Sequence, residues 1–225
     1  LQRLLRLSAD WQVPLSLAVI PARLNPSLLS AISSDGSTAM VDRARVVVLQ
    51  HGYAHIDHGS GAEPSAELGE HRALPGVLAE LERGRQRLRE ELDAFFVPVL
   101  VPPWNRIAPQ VVSQLGGSGF RGLSCFAARQ WYKGEQGLSL VNCHVDPVNW
   151  KAGGVFRGES KSLAMTISHL RARRQGDVDA AEPTGVLTQH WRHDEGTWHF
   201  LEPLFEGTRA HTGGRWLDAR VGFGL

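Results

Sequence analysis

The scarcities of this chain exclude several classes of protein before any motif is read. Two cysteines in 225 residues, Cys125 and Cys143, are too few for a disulfide framework. Reduced, buried thiols are the expectation for both, with a mutual disulfide left open. No apolar run reaches the roughly 20 residues of a transmembrane helix, and no basic-then-apolar leader opens the chain. Charge of one sign is missing too: a formal net charge of +1 gives no basic field for nucleic acid. What is present, 42% hydrophobic and 21% charged residues, is enough to bury a core. A single domain over residues 1–225 is expected.

Periodicity divides the chain into alternating elements. Leu1 to Trp11 carries apolar residues at helical spacing, and Pro14 to Ile20 reads as a buried strand closed by Pro21. Asn25-Pro26 opens a short helix to Ile32, with proline at the favoured first position. Ser33 to Thr38 reads as a polar loop before a strand that ends at His51. An amphipathic helix is expected over about 74–94, with arginine and glutamate outward. Further strands are read at 97–101, 120–125, 140–145, 185–190 and 215–219, and helices at 108–115, 159–173 and 195–205. Gly176 to Glu182 reads as a disordered-looking turn. Strands alternating with helices predict an α/β fold with a largely parallel sheet, and seven strand candidates favour a barrel over an open sheet.

The stretch that organises the rest is Arg45-Val46-Val47-Val48-Leu49-Gln50-His51-Gly52-Tyr53-Ala54-His55-Ile56-Asp57-His58. A β-branched run reads as a buried strand, and it leads straight into histidines. If the chain turns helical after Gly52, His51 and His55 share one face, a workable arrangement for two imidazoles on one zinc ion. The other reading is a polar loop with solvated histidines. The remaining polar and aromatic residues of note also sit at predicted strand ends: Trp104 with Asn105, His144 with Asp146, and His190 with His193 and Asp194. Parallel strands present their carboxyl ends on one face, where such groups converge. Independent loop caps are the alternative.

In that order the stretches resemble the polysaccharide deacetylases, the carbohydrate esterases of family four, and within them a divergent bacterial branch. His51 and His55 match the family's metal-binding histidine pair, and Pro102-Pro103-Trp104 is similar to its active-site wall. Asp146-Pro147-Val148-Asn149-Trp150 resembles its Asp-Pro-x-x-Trp stretch, and Leu187-Thr188-Gln189-His190 its late Leu-x-x-His strand. The resemblance implies a distorted (β/α) barrel and metal-dependent removal of acetyl groups from N-acetylated sugars. It implies zinc, or another divalent ion, on His51 and His55, with His190 as general acid. Trp104, Asn105, Asp146 and Trp150 would line the sugar site. For each tryptophan ordinary core packing is the other reading, and for His190 a ring satisfied by backbone.

The chain also departs from the family. No aspartate pair precedes His51; Asp10, Asp35 and Asp42 stand alone. The strand that carries that pair would precede Leu1, so the domain is expected to be N-terminally incomplete, lacking its first strand. Val101 stands where many members carry arginine, with Arg106 a possible substitute, and Asn149 where aspartate is common. His58, three residues after His55, offers a three-histidine site instead. Two further functions stay open: a catalytically inactive carbohydrate-binding member of the fold, and a zinc hydrolase acting on another amide. The sequence assigns no compartment and no oligomeric state.

Overall fold

The structure, a computed structural model, describes residues 1–32, 45–61 and 63–225. The expected loop at 33–38, with Asp35 and Asp42, lies outside the described residues. In chain order the elements are α1 (Gln2–Trp11), β1 (Leu15–Val19), α2 (Pro26–Ile32), β2 (Val46–His51), α3 (Leu74–Leu92), β3 (Phe96–Val101), α4 (Pro109–Leu115), β4 (Gly122–Leu123), β5 (Ser139–Leu140), β6 (Cys143–Val145), β7 (Val148–Asn149), β8 (Val155–Phe156), α5 (Glu159–Gln175), β9 (Gly185–Val186), α6 (Glu195–Ala210) and α7 (Ala219–Phe223). Among the described residues no helix is long and apolar enough to cross a membrane.

The strands β1 to β5 form one sheet in sequence order, with every pairing parallel. β2 lies inside it, and Val46 to Leu49 are buried on both faces, as a central parallel strand requires. The hydrogen bonding runs on past β5: the Cys143 N–H donates to the Cys125 carbonyl at 2.9 Å, and β6 pairs in parallel with β9. The wall thus continues past β5 through β6 to β9, while β7 and β8 form a separate antiparallel pair. An apolar cluster from α1 and α6, including Leu4, Trp198 and Leu201, touches both Leu15 of β1 and Val186 of β9.

Alternation along β2 decides which residues reach the site. Val48 packs outward with Leu88 and Leu92 of α3, while Val47 and Leu49 pack inward with Val97, Val99 and Phe223 of α7. His51 continues that inward row. Gln50 follows Val48: its fully buried amide donates to the carbonyls of Gly52 and Leu81, both at 3.0 Å, and so ties the end of β2 to α3.

The sequence reading is corrected at several boundaries. Residues 215–218 form no strand: Asp218 caps α7 by accepting from the Arg220 N–H at 2.7 Å, and Trp216 donates to Thr208 Oγ1 at 3.0 Å. The expected strand at 185–190 keeps only Gly185–Val186, and that at 140–145 divides into β5 and β6. The turn at 176–182 is ordered around Glu182, which is fully buried. Helix α6 continues through Pro203 to Ala210.

Gly84 brings α3 close against Gln50 at the end of β2. A Cβ there would stand 2.5 Å from Gln50 Nε2 and 2.9 Å from Pro21 Cγ. Helix propensity alone favours Gly84→Ala by about 1 kcal/mol, yet the clash reverses the sign. The variant is expected to unfold at lower urea than the parent; a higher midpoint would show that α3 does not sit this tightly on Gln50.

Candidate functional site

His51 closes β2 in register with Val101 of β3. Its Nδ1 lies 2.8 Å from the Val101 carbonyl. A carbonyl can only accept, so Nδ1 carries the proton and Nε2 keeps its lone pair. This is the tautomer a metal-ligating histidine needs, with its orienting acceptor already in place. Burial, opposed by the Val101 hydrogen bond and reinforced by His55, pushes the His51 pKa down to about 4, so the ring is neutral at neutral pH.

The segment after His51 is not helical, contrary to the condition on which the shared face rested. Gly52 and His55 take left-handed backbone conformations (φ 55° and 56°), which fold the loop back on itself. The two rings nonetheless meet, centroids 5.0 Å apart and edge to face. His55 in turn lies 4.2 Å from the Trp104 ring. What replaces helix geometry is Glu67, whose carboxylate accepts from the N–H groups of Tyr53 (3.1 Å), Ala54 (2.6 Å) and His55 (3.1 Å). His58 is exposed, and no third histidine, cysteine or carboxylate among the described residues completes a three-donor cluster with His51 and His55.

The other expected site residues fall into two groups. Trp104 and Asn105 follow β3 on consecutive left-handed residues (φ 54° and 56°), Trp104 half-buried and Asn105 exposed. Arg106 leaves this wall and donates to the Ser65 carbonyl at 2.8 Å. Asp146 is buried and accepts from the Val148 N–H and from Trp150 Nε1, both at 2.9 Å. It thereby fixes an indole that is 46% exposed. His190 lies at the surface of the loop after β9, where partial burial lowers its pKa. Next to it His193 accepts from the Gln189 N–H at 3.1 Å and meets Trp198 edge-on. Both cysteines are free and half-buried, and burial raises their pKa values to about 11 and about 12; such thiols are unreactive at neutral pH.

A second polar cluster escaped the sequence reading. His144 of β6 stacks on His169 of α5, centroids 3.5 Å apart, and Glu182 Oε2 lies 3.3 Å from His144 Nε2. The three donor atoms lie within 4.8 Å of one another, which raises the question of a metal. The protons bear on it. His144 Nδ1 accepts from the Gly185 N–H at 3.1 Å, so the neutral ring carries its proton on Nε2, where an ion would need a lone pair. Glu182 is occupied by the Arg129 and Asn142 N–H groups at 2.8 and 2.9 Å. Two rings on one tetrahedral ion also splay apart instead of stacking. As protonated here the cluster faces a carboxylate with its protons, yet His144 Nε2 and His169 Nε2 are buried without a hydrogen-bond partner and the three groups are close enough to hold an ion. The cluster is a buried strut, extended by the ion pair of Arg129 with Asp179 at 2.6 Å. Burial opposes the charge on Glu182, but His144 and hydrogen bonds from the two backbone N–H groups hold its pKa below the usual range.

With the geometry in hand, the chain can be placed among known proteins. No family sequence model matches it, and no curated protein matches it in sequence. Among solved structures, one described as a polysaccharide deacetylase from Mycobacterium smegmatis superposes with a TM-score of 0.67 at 16% identity, covering 99% of this chain and 75% of that one. Another, described as a polysaccharide deacetylase from Pseudomonas aeruginosa PAO1, gives 0.66 at 16%, covering 99% and 70%. The α/β architecture is thus that of a known class. It is the polysaccharide deacetylase fold, in a divergent form.

Three histidines, His51, His169 and His193, have native pKa values of about 4, below the unfolded value near 6.5. Burial is the largest cause in each case. The unfolded chain therefore binds more protons than the folded one between these values. Stability is expected to be full above pH 6.5 and to fall steadily as the pH drops to about 4. His169→Phe, which keeps a ring on His144 but cannot titrate, is expected to flatten that slope in urea titrations at successive pH values. An unchanged slope would mean that His169 is not held neutral.

Proposed function

We propose that the chain is a metal-dependent hydrolase that removes acetyl groups from N-acetylated sugars. The observation that carries this reading is the His51 tautomer: a neutral ring, oriented by the Val101 carbonyl, with its lone pair on Nε2 and the His55 ring centred 5.0 Å from its own. A divalent ion there, most simply zinc, supplies Lewis acidity toward an amide carbonyl and lowers the pKa of water. The rest belongs to the chain. His51 and His55 hold the ion in an orientation set by Val101 and Glu67. His190, in the loop after β9, is the residue we assign to protonate the departing amine. Trp104 and Trp150 offer flat faces for sugar rings, with Asn105 beside the first. Asp146 acts on the sugar through Trp150, since both its oxygens are already hydrogen-bonded.

One observation favours a second reading. The described residues provide only two donors at the histidine pair, which suits a carbohydrate-binding member that has lost the reaction. Hydrolysis of some other amide shares the same metal logic and is separated by substrate alone.

Metal analysis and acetate release from N-acetylglucosamine oligomers decide among them. About one equivalent of divalent ion and measurable acetate release are expected, with His51→Ala and His55→Ala each reducing both at least tenfold. Trp150→Ala is expected to raise KM severalfold with little change in kcat. Oligosaccharide binding with no metal and no acetate would establish the binding-protein reading.

A further inference from the structure

Glu67 lies between Ala66 and Leu68 in a stretch without regular structure, and no part of it is solvent-exposed. A buried carboxylate is costly unless its oxygens are fully hydrogen-bonded. Here the donors are three successive backbone N–H groups, those of Tyr53, Ala54 and His55. Among the described residues no lysine or arginine side chain donates to this carboxylate. Arg72 reaches only the Glu67 carbonyl, at 3.2 Å, while its guanidinium pairs with Glu80. Consecutive N–H groups converging on one anion form a nest, an arrangement found at anion sites; in this chain the anion is its own side chain.

The surroundings show that the fit is specific. A Cβ on Gly52 would stand 1.9 Å from Glu67 Oε2, so the turn after β2 accepts no side chain while the carboxylate is in place. Glu67 is itself anchored on both sides. Ala66 exchanges hydrogen bonds with the far end of the loop, donating to Asp57 Oδ1 at 3.1 Å and accepting from the His58 N–H at 3.3 Å. Leu68 is buried and accepts from the Ala108 N–H at 2.8 Å. His55 sits at φ 56°, a conformation that costs a non-glycine residue about 1 kcal/mol or more. Its ring nevertheless lies against both His51 and Trp104.

We propose that Glu67 is the positioning residue of the histidine pair: its carboxylate sets the backbone of residues 53–55 and holds the His55 ring beside His51 before any ion arrives. The proposal rests on the metal reading only for its consequence, tighter ion binding by a loop that needs no ordering on arrival. The conformational part stands without it.

The test uses Glu67→Gln, which keeps the shape but turns an amide N–H₂ toward backbone donors. In the metal-free parent, hydrogen exchange measured by NMR is expected to show the Tyr53, Ala54 and His55 amides protected. In E67Q their protection should fall at least tenfold and the His51–His55 ring contact should disappear. Zinc titration should show Kd raised about 10- to 100-fold, the range for losing a group that orients a ligand. Leu88→Ala, a core variant remote from the loop, should lose stability while keeping both the ring contact and the zinc affinity. Parent amides exchanging at free-peptide rates, or an intact ring contact and zinc affinity in E67Q, would overturn the proposal. If E67Q does not fold, exchange in the parent decides the matter alone. If the parent binds no zinc, the metal reading fails, whereas the exchange data still judge Glu67.

Discussion

The structure depends on a single requirement of its strand ends, that the backbone N–H groups of the loops leaving a buried sheet find acceptors out of reach of water. Two fully buried glutamates meet it. Glu67 gathers the three donors after β2, and Glu182 takes the N–H groups of Arg129 and Asn142 beside β6. The first fixes a loop that carries His55, the second a loop that leads into β9. Removing either acceptor would leave orphaned donors inside the protein, each costing about 1–3 kcal/mol.

Proton placement then separates two histidine pairs that look alike in a list of residues. His51 donates from Nδ1 to a carbonyl and keeps a lone pair on Nε2; His144 accepts at Nδ1 from an N–H and carries its proton on Nε2. The first leaves Nε2 as an acceptor, and the second turns Nε2 toward a carboxylate. Burial keeps His51 and His169 neutral near pH 7. Proximity alone favours the second pair, because only that pair belongs to a group of three donors within 4.8 Å of one another among the described residues.

The parts of this arrangement that lie close together in sequence were legible there. The apolar run of β2, its discharge into His51 and His55, and the wall begun by Pro102-Pro103-Trp104 are local patterns, and the parallel α/β class follows from their alternation. The helical spacing argument for His51 and His55 failed in its premise but not in its result, since Gly52 and Glu67 bring the rings together by another route. Glu67, His169 and Glu182 gave no sequence signal. Glu182 meets Asn142 and Arg129 across 40 and 53 positions, and nothing in Asp-Ala-Ala-Glu-Pro distinguishes a buried strut from a polar turn. Short strands such as β4 and β9 were overread because apolar runs continue beyond the residues that pair.

The most direct test of the account is the position of a bound ion, read from anomalous diffraction at the zinc edge on crystals grown with zinc. The account predicts a peak beside His51 Nε2 and the His55 ring, with His51 Nδ1 still on the Val101 carbonyl. A peak among His144, His169 and Glu182, with the His51 pair empty, would contradict it.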